Sequence, residues 1–228
     1  YAGVEIWGNH IDGKNTEELS ALRDLAARNG LGIEVLSPYL WLTNSEELRL
    51  ESLEIAQRFV EYCRILGCRK IRTFTDSGPT GIGSDVATEG QWRIAVDSLK
   101  TIAAMDPGVS FVVETHAKTL ADTPESALRL LREVDAPNLR INFQPNSENF
   151  LDAYEMLKPH VSHVHLQDQT RKGEHCLLGE GVLDLPEFFR RLKADGYSES
   201  VSVEYCWKGT TWDNAREALH HLAALAKS

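Results

Sequence analysis

Positive charge is scarce in this sequence. Its 228 residues hold 24 Lys and Arg against 34 Asp and Glu, a formal net charge of −10. That balance argues against non-specific binding to nucleic acid or to an anionic membrane surface, because both need clustered cations. Cysteine is scarce too. Cys63, Cys68, Cys176 and Cys206 form no CxxC pair and are too few to staple a domain of this size, so a reduced, cytoplasmic setting is the default. No apolar run approaches the ~18 residues that span a bilayer, and the N-terminus lacks the basic-then-apolar pattern of a signal segment. Two glycine motifs are also absent. After the first apolar run the chain reads GNHIDGKN rather than GxGxxG, and SGPTGIGSD (77–85) lacks the Lys of a phosphate loop.

What is present is the composition of a globular protein: 42% hydrophobic and 25% charged residues, too apolar for disorder. Seven short, β-branched runs recur along the chain: AGVEIW (2–7), LGIEVLS (31–37), RKIRTFT (69–75), VSFVVET (109–115), LRINFQ (139–144), VSHVHLQ (161–167) and ESVSVEY (199–205). Between them lie segments of helical period. The first, 16–30, puts Leu19, Leu22, Leu25 and Ala26 on one face, with Gly30 as a C-cap. The second, 45–67, follows Thr43 and Asn44; Thr43 with Glu46, or Asn44 with Glu47, has capping-box spacing. In 123–134, Thr123 caps and Pro124 takes the first helical position. Segments 184–196 and 213–227 complete the set, with weaker patterns at 89–105 and 147–158.

Strand–helix alternation without hairpin signals predicts parallel strands joined by crossover helices. An open doubly wound sheet and a closed eightfold barrel both satisfy it. The missing glycine fingerprints favour the barrel. The expectation is therefore an α/β protein with a single (β/α)8 TIM-barrel domain over residues 1–228. Seven strands are one short of eight, so the chain is expected to open at the second strand, with the first strand–helix unit missing.

In such a barrel, chemistry gathers at the C-terminal ends of the strands. Glu114 ends one run, and alternation puts His116 on its face; Gln144 ends the next. His163 and His165 share a face of the following strand, and Glu204 ends the last with Ser202 beside it. A lone Glu or His at a strand end is more often hydrogen-bonded scaffold than ligand. Four oxygen and nitrogen donors on four successive strands make a set suited to Mn, Co, Mg or Zn. Two carboxylates crowded without a cation would raise at least one pKa sharply. Trp7, Trp41, Trp207 and Trp212 fall at or just past strand ends, as packing or as surfaces for a sugar ring.

Several stretches resemble a known family: VVETHAKTLADTPESALRLLREVDAPNLRINFQP, VSHVHLQDQ and LGEGVLDLPEFFRRLKADGYSESVSVEY. They are similar to the xylose isomerase-like barrels, in the sugar isomerase/epimerase branch that also holds ketose 3-epimerases, hydroxypyruvate isomerases, inosose dehydratases and 3-dehydroshikimate dehydratases. The resemblance implies a metal shell of Glu114, Gln144, His165 and Glu204. It also implies a substrate-binding Arg at Arg171, while Lys172 and His175 read as solvated loop. His116, Trp7 and Trp207 join Arg171 as expected substrate contacts. The implied activity is divalent-metal-dependent sugar isomerisation or epimerisation, with Glu114 and Glu204 moving a proton through a metal-stabilised enediolate.

The chain departs from the family at one point. An Asp, often in a DxxH pattern, is usual where this chain has QPNS (144–147). Gln ligates through its amide oxygen but removes one of three negative charges, so metal affinity should fall. A dehydratase or lyase on a keto sugar, or a catalytically inactive sugar-binding barrel, stays open as an alternative. Repair of abasic DNA needs more strand-end histidines and a basic groove, and is rejected. The expected partner is a small sugar or sugar-derived acid, with no nucleic acid and no membrane. A homo-oligomer is compatible with the sequence.

Overall fold

The computed structural model describes residues 1–76, 81–204 and 211–226. All seven β-branched runs form strands, and the chain divides into two compact units, Tyr1–Asn142 and Phe143–Ser228.

The first unit alternates β1 (Gly3–Trp7), α1 (Thr16–Arg28), β2 (Gly32–Ser37), α2 (Glu46–Leu66), β3 (Lys70–Thr73), α3 (Glu89–Met105), β4 (Ser110–Glu114), α4 (Pro124–Val134) and β5 (Leu139–Phe143), whose last residue opens the second unit. Its strands pair in parallel, each with the next in sequence. Val35, Leu36, Ile71, Phe111, Val112, Val113 and Ile141 are all fully buried. Strands buried on both faces need continuous apolar runs, and these are the runs the sequence supplies. Between β1 and β2 the register slips from Val4↔Ile33 to Glu5↔Val35, a bulge beside which Ser37 Oγ donates to Glu5 Oε1.

Helix starts follow local chemistry. Asn15 accepts from the Glu18 amide, and Glu18 reaches back to the Asn15 amide. Thr123 caps α4 with Pro124 behind it, as its sequence predicts. The pattern at 89–105 gives a full 17-residue helix, capped by Thr88 and Gln91. Two expectations need correction. The N-cap of α2 is Ser45, which accepts from the Leu48 amide; Thr43 is drawn away because its hydroxyl donates to the buried Asp76 carboxylate. Leu25 is 50% exposed, while Leu19 and Ala26 are buried. At about 100° per residue Leu25 lies roughly 120° around from Leu19, off the buried stripe.

The second unit holds α5 (Phe150–Leu157), β6 (Val161–Leu166), a short antiparallel ribbon of β7 (Asp168–Gln169) and β8 (His175–Cys176), α6 (Leu185–Ala194), β9 (Val201–Val203) and α7 (Trp212–Leu225). Strands β6 and β9 pair in parallel, His165 opposite Ser202. The core is aromatic. Phe188 on α6 lies 5.7 Å from Phe143, 5.4 Å from Phe150 and 5.2 Å from Tyr154, ring centre to ring centre. Cys63, Cys68 and Cys176 are free thiols, and among the described residues no helix is long and apolar enough to cross a membrane.

Candidate active site

In the first unit the strand ends bring together the Glu114 carboxylate, the Arg72 guanidinium and a chain of rings. Glu114, the last residue of β4, is 2% exposed. Its Oε2 accepts from Asn142 Nδ2 at 3.4 Å, the residue opposite it on β5, and lies 3.3 Å from Arg72 Nε. Both contacts use the same oxygen, which fixes the plane of the carboxylate. Arg72 comes from β3 and is itself 4% exposed. Its guanidinium carbon sits 4.4 Å from the ring centre of Phe74 and 5.2 Å from that of Tyr39. Its Nε and Nη1 are buried and make no hydrogen bond among the described residues; the approach to Glu114 is an ion pair without hydrogen-bond alignment.

The rings continue outward. Tyr39 stacks on Phe74 at 5.8 Å and meets Trp7 edge-on at 6.2 Å; His116 approaches Phe74 at 5.3 Å. Trp7 is 42% exposed, and His116 is exposed with its Nδ1 2.8 Å from the Ala117 carbonyl oxygen. Trp7 and His116, both expected as substrate contacts, lie at or just past strand ends of this unit.

In the second unit, Gln144 is buried one residue past β5, and His165 is buried on β6. His165 Nδ1 lies 3.4 Å from Glu204 Oε2, just past β9, and Gln167 Nε2 donates to the same oxygen. The Glu204 amide donates to the Leu166 carbonyl at 3.1 Å, extending the β6–β9 ladder by one step and fixing where the carboxylate starts. His163, on the same face as His165, has its Nε2 2.9 Å from Ser202 Oγ. Arg171, Lys172 and His175 are exposed on the ribbon. Trp207 lies outside the described residues.

Two residues that matter here carry no weight in the sequence reading. One is Arg72, whose only signal is a charge in the middle of the buried run RKIRTFT. The other is Asp168, buried at the end of VHLQD. Its carboxylate accepts from the amides of Gln169 at 2.8 Å, Gly179 at 2.9 Å, Gly181 at 3.1 Å and Leu183 at 3.4 Å. Bonds from several backbone N–H groups offset the cost of burying the charge and tie down the loop that carries Arg171. A Cβ on Gly181 would stand 2.0 Å from Asp168 Oδ1, so only glycine fits there. The glycine pair in LGEGVLD was the available signal. A separate groove of about 420 Å³ is lined by Trp92, Arg93, Lys100 and Arg129 of α3 and α4, and holds none of the strand-end residues.

The donor set can be tested against a divalent ion by its chemistry and by one spacing. In the second unit, the Glu204 carboxylate, the His165 imidazole and the Gln144 amide oxygen are hard-to-borderline ligands of the kind Zn, Mn and Mg take. Ligands bound tetrahedrally at about 2.1 Å lie about 3.4 Å apart, which is the separation of His165 Nδ1 and Glu204 Oε2. The residues fit.

The family model described as xylose isomerase-like TIM barrel matches residues 1–226. A 3-dehydroshikimate dehydratase of Bacillus anthracis is 28% identical over 182 residues, 74% of this chain; the chain spans only 62% of that relative's length. The crystal structure of the probable 3-DHS dehydratase AsbF from Bacillus anthracis superposes with a TM-score of 0.84 at 22% identity, over 98% of this chain and 89% of that one. The 3-keto-D-glucoside 4-epimerase YcjR from E. coli gives 0.76 at 22% identity, over 100% and 90%. The IolI protein, solved with a bound zinc atom, gives 0.78 at 18% identity, over 99% and 88%. These likenesses share one fold, and the parallel α/β barrel expected from the strand–helix alternation is that fold. The chain belongs to the xylose isomerase-like TIM barrel family.

Proposed function

We propose that this chain is a divalent-metal-dependent sugar isomerase or epimerase that moves a proton next to a carbonyl, with Glu114, Gln144, His165 and Glu204 as the metal ligands. The observation that carries the reading is the His165–Glu204 contact at 3.4 Å, an imidazole nitrogen and a carboxylate oxygen at ligand spacing. A bound cation would polarise the substrate carbonyl and lower the cost of the charge that develops on its oxygen. Glu114 takes the proton from the adjacent carbon, and Glu204 returns one. Return to the other face of the same carbon gives the epimer, and return to the neighbouring carbon gives the isomer. Arg72 and Asn142 hold Glu114 by one oxygen, so the carboxylate does not rotate away during the transfer. Arg171, on the loop pinned by Asp168, contacts the substrate, as do Trp7 and His116.

Dehydration is the second reading. It is favoured by the relative named 3-dehydroshikimate dehydratase, and needs only a leaving group on the carbon beyond the one deprotonated. The electron pair then expels that group instead of recapturing a proton.

The test is incubation with Mn²⁺ and a panel of keto sugars and keto acids in D₂O. Deuterium entering a C–H next to the carbonyl supports the proton transfer whichever product forms. No exchange with any substrate, together with no uptake of Mn²⁺ on equilibrium dialysis, counts against it. In the same dialysis, Gln144→Asp restores a third ligand charge and should tighten metal binding by about tenfold or more, since affinity follows ligand charge count. An unchanged affinity would remove Gln144 from the shell.

A further inference from the structure

Cys63 and Cys68 are the cysteines of the first unit, and the proposed reaction uses neither. Both are buried, at 1% and 5% exposure. Their placement follows from how α2 ends. Gly67 takes the left-handed conformation, φ +74°, just past Leu66, and its amide donates to the Cys63 carbonyl. The Cys68 amide donates to the same carbonyl at 3.0 Å. In this kind of helix exit, the residue after the left-handed glycine folds back on the residue whose carbonyl it caps, and their side chains meet. Those facing positions are commonly apolar; here both are cysteine. The bond between the amide of one and the carbonyl of the other also keeps their backbones within the span a disulfide bridges.

The two thiols hydrogen-bond one another, with Cys63 as donor and Cys68 as acceptor. That bond, with burial added, pushes the Cys63 thiol far above the usual range. The same bond lowers Cys68 against the opposing effect of burial, and the amides of Lys70 and Arg69 help. When protonated, Cys68 donates onward to the Lys70 carbonyl oxygen at 3.3 Å. Free cysteine also packs as a small apolar side chain, so burial alone assigns no chemistry. The sulfur-to-sulfur contact does.

We infer that Cys63 and Cys68 form an oxidisable dithiol, a modification site at which a hydroperoxide converts the pair to an intramolecular disulfide. Cys68, the more exposed sulfur and the one favoured as thiolate, attacks the peroxide. The O–O bond breaks, Cys68 becomes a sulfenic acid, and the released hydroxide takes up the proton that Cys68 gave off. The Cys63 sulfur then attacks the Cys68 sulfur. The S–O bond breaks, and the departing hydroxide takes the Cys63 proton. Each sulfur is oxidised by one electron, and the peroxide is reduced to two waters. The new bond ties the end of α2 to the residue two before β3, across a turn that backbone hydrogen bonds already close.

The probe is hydrogen peroxide on the folded protein, followed by N-ethylmaleimide in denaturant and tryptic digestion without reductant. Arg64 lies between the two cysteines, so trypsin separates Phe59–Arg64 from Ile65–Arg69. The expected product is these peptides joined, two hydrogens lighter than their sum, and parted again by dithiothreitol. Cys63→Ser, whose hydroxyl still donates, should stop at a Cys68 sulfenic acid that dimedone captures, at a rate within about threefold of native thiol loss. Cys68→Ser should slow oxidation of Cys63 by about tenfold or more, because a thiol rather than a thiolate is left. Peptides that stay separate after peroxide, that join only when the chain is denatured first, or equal rates in the two serine variants overturn the inference. Should a variant fail to fold, the native and denatured peptide maps decide the matter.

Discussion

Glu114→Gln should leave a folded protein whose turnover is lower by about 10²- to 10⁴-fold, the usual contribution of a positioned acid–base group. The substitution keeps the shape of the side chain and removes what the proposed reaction uses, a basic oxygen and a ligand charge. It also turns an acceptor into a side chain with an N–H₂ group facing Arg72, which stands 3.3 Å from Glu114 Oε2. A buried arginine that loses its acid is destabilised, so the melting temperature should fall, but folding should survive because the strand cores around it are apolar. Steady-state kinetics on the substrate found by deuterium exchange, with a thermal melt of the same preparation, checks both parts. A turnover within about threefold of the native value would mean that Glu114 is scaffold.

The largest loss of stability should come from Phe188→Ala, about 3–5 kcal/mol in chemical denaturation. Phe188 is fully buried on α6 and touches three further rings, Phe143, Phe150 and Tyr154. Removing it takes away the transfer energy of a phenyl group, leaves a cavity that three rigid rings cannot close, and breaks edge-to-face contacts worth about 0.5–1.5 kcal/mol each beyond their area. Strand β6, which carries His165, and β9, which Glu204 follows, belong to the unit this cluster packs. A loss below about 1 kcal/mol would show that the aromatic cluster repacks easily.

Much of this was legible in the sequence, and the reasons are local. The strands announced themselves because those buried on both faces need uninterrupted β-branched runs; VSFVVET and RKIRTFT have no other use. Thr123-Pro124 marked a helix start for the same reason it makes one. The start of α2 was misplaced because three neighbouring side chains, Thr43, Asn44 and Ser45, can all cap. The choice was made by Asp76, a partner more than thirty residues away. The ribbon of β7 and β8 was read as loop because each strand has only two residues, too short for any periodicity. The proposed ligands Glu114, Gln144, His165 and Glu204 were chosen by asking which polar groups end strands. Arg72 was not singled out, because it lies inside a strand, three residues before the end of its run, and only the fold brings the rings of Tyr39 and Phe74 to it.

One measurement bears most directly on the account: anomalous diffraction from crystals grown with Mn²⁺. A single strong peak should stand within about 2.0–2.3 Å of a carboxylate oxygen of Glu114, a carboxylate oxygen of Glu204 and a ring nitrogen of His165. A peak elsewhere in the molecule, or two carboxylates too far apart to share one ion, would contradict the metal-dependent proton transfer proposed for this barrel.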